Sequence, residues 1–314
     1  MRKRLYLVTG GAGFIGSHIC ERLIREGHSV RVLDNFVSGR EENLREFRGE
    51  IELIRGDVRD LRTTAEAMKG VYAVFHQAAL GSVPRSVADP VTTHESNLTG
   101  TLNVLIAARD AGARRVVYAS SSSVYGETEE LPKREDMMPQ PLSPYAVSKL
   151  AGEYYISVFK QCYGFEAVSL RYFNIFGPRQ DPQSQYAAVI PRFVTALLEG
   201  RRPVIYGDGL QSRDFTYVEN VVEANLLAAE AEGVAGRCFN VACGGRYTLV
   251  ELLDRMKNII GSDIEAEHTP PVKGDIRDSQ AAIERAERML GYRVKVDFEE
   301  GLRRTIEWFQ KQVR

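Results

Sequence analysis

The sequence predicts an α/β fold: a doubly wound parallel sheet with a smaller C-terminal α/β lobe. Three observations carry this expectation. Short apolar runs alternate with helical patterns through the first half of the 314-residue chain, which is the pattern of repeated βαβ units. The first run, Leu5 to Thr9, feeds a glycine-rich turn, Gly10 to His18, that opens a helix. The second run, Val30 to Leu33, ends on an acid, Asp34.

Each piece has a physical reading. Gly10 permits the tight turn, Gly13 lets a pyrophosphate approach the backbone, and Gly16 lets helix and strand pack closely. The helix that follows, through Ile19, Leu23 and Ile24 to Gly27, offers phosphates its free amides and positive dipole end. Asp34 would accept hydrogen bonds from an adenosine ribose and repel a 2′-phosphate. The expected cofactor is therefore NAD, with Arg40 nearby keeping NADP in view. Ile51 to Ile54 leads to Gly56, Asp57 and Val58, a strand end whose carboxylate could reach adenine. Tyr72 to Phe75 leads to His76, Gln77, Ala78 and Ala79, where small residues would let a cofactor lie on the backbone. Val91 to Ala111 reads as one long helix with Leu98, Leu102, Leu105 and Ile106 on one side.

The next strand, Arg115 to Ala119, ends in four serines, Ser120 to Ser123. Ligands bind beyond the carboxyl ends of such strands. After a polar stretch comes Ser143-Pro144, a helix start with a good N-cap and a proline at the first helical position. On that helix Tyr145 and Lys149 share a face. An ammonium near a phenol lowers its pKa from the reference of about 10, which would make Tyr145 a general base. The spacing alone also fits an exposed helix with a solvated lysine.

Beyond Asn174 the pattern loosens. Helices are expected at 189–198, 219–231, 248–260, 281–290 and 299–312, and short strands at 204–206 and 214–217. There is no internal repeat or linker. The expected division is an NAD-binding domain over residues 1–173, to which the chain returns at about 212–242, and a substrate lobe made mainly of 174–314.

Composition narrows the function classes. A net charge of −1 gives no electrostatic case for nucleic acid or an anionic membrane. No apolar run approaches the roughly 18 residues that span a bilayer. The basic start, M-R-K-R-L-Y-L-V-T-G, has too short an apolar run for a signal peptide and reads as a first strand. The four cysteines show no C-x-x-C spacing and the five histidines no H-E-x-x-H, so no metal site and a reduced, cytoplasmic setting are expected.

Taken together, G-G-A-G-F-I-G-S-H, the D-N after the second strand, S-S-S-S-V-Y-G, Y-A-V-S-K, L-R-Y-F-N-I-F-G and S-R-D-F-T-Y-V resemble the extended short-chain dehydrogenase/reductases, specifically the nucleotide-sugar 4-epimerases. The resemblance covers nearly the whole chain. Q-A-A-L-G-S-V-P-R-S, R-Q-D-P and Y-A-A-V-I-P look most like the branch acting on UDP-N-acetylhexosamines. The resemblance implies a Rossmann-type domain with NAD held by Gly10, Gly13, Phe14, Ile15, Gly16, Asp34, Asn35, Ser38, Gly39, Asp57, Val58, Ala78, Ala79, Asn97, Tyr145, Lys149 and Tyr172. It implies Tyr145 as catalytic base with Lys149 as its partner on the nicotinamide ribose. Ser121 becomes the catalytic hydroxyl, because it lies four residues before Tyr125 of the Tyr-Gly pair.

On the substrate side the resemblance implies Ser121, Ser122 and Asn174 beside the sugar diphosphate. Ala188, Val189, Tyr206 and Arg213 fall around uracil, ribose and phosphate. An arginine expected two residues before Gly274-Asp275 is Val272 here, which leaves Lys273 or Arg277 for the diphosphate. Ser279 stands where epimerases confined to unacetylated hexoses often carry tyrosine, leaving room for an N-acetyl group. The implied reaction is inversion at C4 of a UDP-hexose through a transient 4-keto sugar, with NAD regenerated each cycle. UDP-GlcNAc/UDP-GalNAc is the expected pair and UDP-glucose/UDP-galactose an accepted one. A homodimer through a four-helix interface is also implied, using Leu102, Leu105, Val147, Leu150 and Tyr154. The alternatives are a UDP-uronate epimerase, an NAD-sensing regulator without chemistry, and a nucleotide-sugar 4,6-dehydratase. The last needs acids where Ser122 and Ser123 stand.

Overall fold

The computed structural model describes residues 3–182, 188–271 and 276–313. Seven parallel strands form its central sheet: β1 (Leu5–Thr9), β2 (Ser29–Asp34), β3 (Ile51–Arg55), β4 (Ala73–His76), β5 (Arg115–Ser121), β6 (Ala167–Tyr172) and, from the C-terminal half, Cys238–Val241. The spatial order is Cys238–Val241, β6, β5, β4, β1, β2, β3. The order reverses between β1 and β4, and the crevice at that switch point opens beside the glycine turn.

Helices cover both faces, as parallel strands buried on both sides require. On one face α1 (Phe14–Arg25) and a later helix (Val218–Glu230) bury Ile19, Cys20, Leu23, Val221, Ala224 and Ala228 against Val8, Val32, Phe75 and Val117. On the other, α2 (Leu61–Ala67), α5 (Gly100–Asp110) and α6 (Pro144–Tyr163) contribute Ala67, Val104, Leu105, Ile156 and Phe159 against Leu7, Val74 and Val116. A third core packs Phe193 and Leu197 from the helix Val189–Leu198 with Leu252, Phe215, Phe298 and Ile306.

Local chemistry sets the helix ends. The Ser143 hydroxyl accepts from the Ala146 amide at 3.1 Å and Pro144 follows it, which fixes the start of α6. That helix ends at Gly164 with φ +65°, a left-handed stop that glycine adopts without strain. Thr248 and Glu251 cap the helix Leu249–Ile260 reciprocally.

Three expectations differ from the structure, and two strands stand outside them. The helix expected over 91–111 runs without a break over 90–110 but contains a π turn, Glu95–Thr99, between Pro90–His94 and Gly100–Asp110. There the Asn97 side chain bonds both backbone groups of Leu80. The strand expected over 214–217 is only Thr216–Tyr217, because Asp214 turns inward to accept backbone N–H groups of Cys243, Gly244 and Ala281. The helix expected from Ala281 begins at Glu284 for the same reason. Finally, β6 and the short strand Glu267–Thr269 stand outside the expected elements, although Val168 to Tyr172 alternates apolar and polar residues; all six residues of β6 are buried, the polar ones included.

Candidate active site

The dinucleotide end is built by close backbone approach. Gly10 sits at φ +69°, and a Cβ there would stand 2.7 Å from the Ala78 nitrogen. A Cβ on Gly16 would strike the Gly10 carbonyl. The turn, the start of α1 and the Gln77-Ala78 backbone therefore form a close-packed cradle. Gly13 begins α1 without a side-chain cap, so the first-turn amides of Phe14, Ile15 and Gly16 remain for an anion.

Asp34, buried at the end of β2, accepts from the Ala12 amide at 2.9 Å and the Phe36 amide at 2.8 Å. Burial raises its pKa while those amides pull it down. Gly39 packs directly on this carboxylate, since a Cβ there would meet Asp34 Oδ1 at 2.7 Å. Asn35 donates to Asp57 at 2.8 Å. Burial opposes ionisation of Asp57, but hydrogen bonds from Arg59 and Asn35 outweigh it and hold its pKa at about 2. Ser38 is exposed beside them. These residues fit an NAD: a glycine cradle, an uncapped helix start and a carboxylate at a strand end.

Three of the cofactor-side residues are occupied inside the protein. Val58 is core and packs on Gly100. Asn97 is buried, and its amide also donates to Ser148 Oγ at 3.1 Å. The Tyr172 hydroxyl joins Gln77 and Asn225. Gln77 belongs to the 76–79 stretch expected under the cofactor, but its side-chain bond to Tyr172 lies outside what the sequence predicts.

The chemical end lies beyond β5. Ser121 ends that strand, caps a 3₁₀ turn over Ser122–Tyr125 and accepts from the Ser123 amide at 3.2 Å. The α6 helix carries Tyr145 and Lys149 over it. Lys149 is buried, donates to the Ala119 carbonyl at 2.8 Å, and stands 5.1 Å from the Tyr118 ring centroid and 5.9 Å from that of Tyr145. Burial pushes the Lys149 pKa down to about 7. Desolvation likewise raises the Tyr145 pKa, and its contact with Ser121 draws it back. An ammonium near the phenol is expected to lower the Tyr145 pKa; in the protein by itself, burial of both groups dominates and raises it.

A third region is a cavity of about 260 Å³. Asn174, Ala188, Val189, Tyr206 and Arg213, all singled out from sequence, converge on it. Asn174 takes φ +38°, uncommon for a residue with a side chain and often found at functional sites, and donates to the Asp214 carbonyl at 3.3 Å. Arg192, Gln211, Phe215, Val204 and Leu249 also line the cavity and were missed. Arg192 follows Val189 by three residues on one helix, so helical spacing could have found it.

Two residues lie differently. Arg277 is exposed, with its guanidinium taken by Asp208 at 2.9 and 3.0 Å, and does not line the cavity. Ser279 is buried, and its amide donates to the Ser212 carbonyl at 3.0 Å. Val272, Lys273, Gly274 and Asp275 lie outside the described residues. Among the described residues no group of His, Cys, Asp and Glu is placed to hold a metal ion, and no helix is long and apolar enough to cross a membrane.

The fold and the glycine cradle define a dinucleotide-binding protein, with Tyr145, Lys149 and Ser121 gathered at a strand end. Residues 6–242 match the NAD dependent epimerase/dehydratase family. The chain is 41% identical over 312 residues to the UDP-glucose 4-epimerase of Mycolicibacterium smegmatis, covering 98% of each. The solved UDP-N-acetylglucosamine 4-epimerase of Methanobrevibacter ruminantium, in complex with UDP-N-acetylmuramic acid, superposes with TM-score 0.95 at 42% identity over 99% of this chain and 100% of that one. The UDP-glucose 4-epimerase of Thermus thermophilus, solved with NAD, gives 0.89 at 40% identity, covering 98% and 99%. A UDP-N-acetyl-α-D-glucosaminuronate decarboxylase of Bacillus cytotoxicus is also similar, at 34% identity over 99% of each chain. The chain belongs to the NAD-dependent epimerase/dehydratase family, and NAD is its cofactor.

Proposed function

We propose that this chain is a UDP-sugar 4-epimerase that interconverts UDP-GlcNAc and UDP-GalNAc and also accepts UDP-glucose and UDP-galactose. One observation carries the reading: α6 sets Tyr145 and Lys149 against Ser121 at a strand end, while the Asn174–Arg213 cavity lies among the residues that follow. Such a cavity holds a nucleotide, and the strand end meets the sugar. The N-acetyl preference rests on Ser279 standing where epimerases confined to unacetylated hexoses often carry tyrosine.

The protein's part in the reaction follows from its own groups. Tyr145 receives the proton of the sugar 4-hydroxyl, with Ser121 bonding the oxygen as charge moves, and later returns it. Lys149, with Nζ 5.9 Å from the Tyr145 ring centroid, is the partner of the base and holds the nicotinamide ribose. NAD, when bound, supplies reversible hydride transfer at C4. Asn174 and Arg213 hold the diphosphate while the keto sugar turns over and presents its opposite face.

A homodimer is part of the proposal. Val147 is 52% exposed and Tyr154 60% exposed along one side of α6, and Val91 is 66% exposed on the neighbouring helix. Leu105 is fully buried and Leu102 and Leu150 pack into core clusters, so these three belong to the fold and the outer residues to the interface. The test is incubation with UDP-GlcNAc, UDP-glucose and UDP-glucuronate separately, resolving epimers and released CO₂. Epimers of the first two support the reading; CO₂ without epimers overturns it.

A further inference from the structure

Four successive residues of β5 are gripped by one stripe of α6. Gly152 lies against the Tyr118 hydroxyl so closely that a Cβ would overlap it. Lys149 bonds the Ala119 carbonyl at 2.8 Å. Glu153 accepts from the Ser120 hydroxyl. Tyr145 meets Ser121. Tyr145, Lys149 and Glu153 stand at i, i+4 and i+8, so they share a helix face.

Glu153 does not act alone. Arg171 lies opposite Ser120 in the β5–β6 register and donates to both Glu153 oxygens, at 2.9 and 2.7 Å. Glu153, Arg171 and Ser120 are 8%, 4% and 3% exposed. The guanidinium also lies 4.6 Å over the Tyr125 ring, at the end of the serine turn. The Tyr125 hydroxyl donates to Asn240 at 2.6 Å, and Asn240 donates to the Ala282 carbonyl at 3.0 Å, three residues after Ser279. A buried ion pair contributes little net stability compared with a well-packed apolar pair. Its geometry, bidentate and tied to the residue before Ser121, points to positioning.

We propose that Glu153 and Arg171 are positioning residues that hold Ser121 in register with Tyr145. The pair clamps the helix that carries the base to the strand that carries the hydroxyl, and Arg171 extends the clamp to the serine turn. This rests on the proposed chemistry at Tyr145 but has a readout that needs no sugar.

The test uses the NAD-loaded protein and two variants, Glu153→Gln, which keeps shape and one acceptor, and Ser120→Ala, which removes only the hydroxyl. The Tyr145 phenol is titrated by tyrosinate absorbance, taken as the difference from Tyr145→Phe. Loosening the Ser121 contact raises the Tyr145 pKa by at least ~0.5 unit in both variants. With UDP-glucose, kcat falls about 10-fold or more in Glu153→Gln while KM stays within about two-fold, because misplaced catalytic groups cost the chemical step. Unchanged phenol titration in both variants at equal NAD content overturns the proposal, whatever happens to thermal stability. If the parent epimerises no UDP-sugar, the proposed function fails while the titration still decides the positioning role.

Discussion

The proposed chemical end and the proposed nucleotide cavity of this molecule are built in opposite ways. Ser121, Tyr145 and Lys149 come from one strand and the next long helix, a contiguous stretch in which β5 and α6 hold each other residue by residue. The cavity takes Asn174, Ala188, Tyr206, Gln211, Arg213 and Leu249 from separate segments, several in two-residue strands and turns. Proton transfer tolerates little misplacement, so it sits on long, buried elements. Recognition of a nucleotide sums many weaker contacts, so it can be assembled from short pieces on the scaffold's rim. Chemistry should therefore fail at single positions, and nucleotide affinity should shift by degrees.

The largest expected effect is at the chemical end. Tyr145→Phe should keep the fold and bound NAD while turnover falls at least ~10²-fold, the cost typical of lost acid–base catalysis. A variant with more than half the parent's rate would remove Tyr145 from that role. Next comes the substrate side. Ser279→Tyr should abolish UDP-GlcNAc epimerisation and largely spare UDP-glucose, because overpacking penalises only the larger ligand. Equal UDP-GlcNAc rates in variant and parent would place the gate elsewhere.

The two remaining predictions act outside turnover. Replacing Val147 and Tyr154 together by Glu should convert a dimer to monomers in sedimentation, because charges would be buried in an isologous contact. A parent that already sediments as one chain at micromolar concentration would count against the interface. The smallest effect is on stability. Lys149 titrates at about 7 in the fold against 10.5 for its ordinary value, so between those values the unfolded chain binds more protons. Stability of the NAD-free protein should therefore rise with pH across that window, by at most about 1.4 kcal/mol per unit, and flatten below pH 7. Urea unfolding of the parent minus that of Lys149→Met isolates this slope; a flat difference would mean the lysine is not desolvated.

The sequence by itself determined the parts that depend on near neighbours. Gly10, Gly13 and Gly16 with Asp34 announce a cofactor because their spacing is that of one βαβ unit. Ser143 and Pro144 start α6, and Tyr145 and Lys149 must then share a face. Only the tertiary structure decided what depends on everything packed around a group. It set the pKa directions of Tyr145 and Lys149, which desolvation controls and no spacing reports. It gave Arg277 to Asp208 and buried Asn97 beneath Leu80. It sank Leu105 into the core while leaving Tyr154 outside, although both fit an apolar stripe. Caps and helical faces are fixed within a few residues of chain, whereas burial, desolvation and the choice of partner are properties of the whole packed molecule.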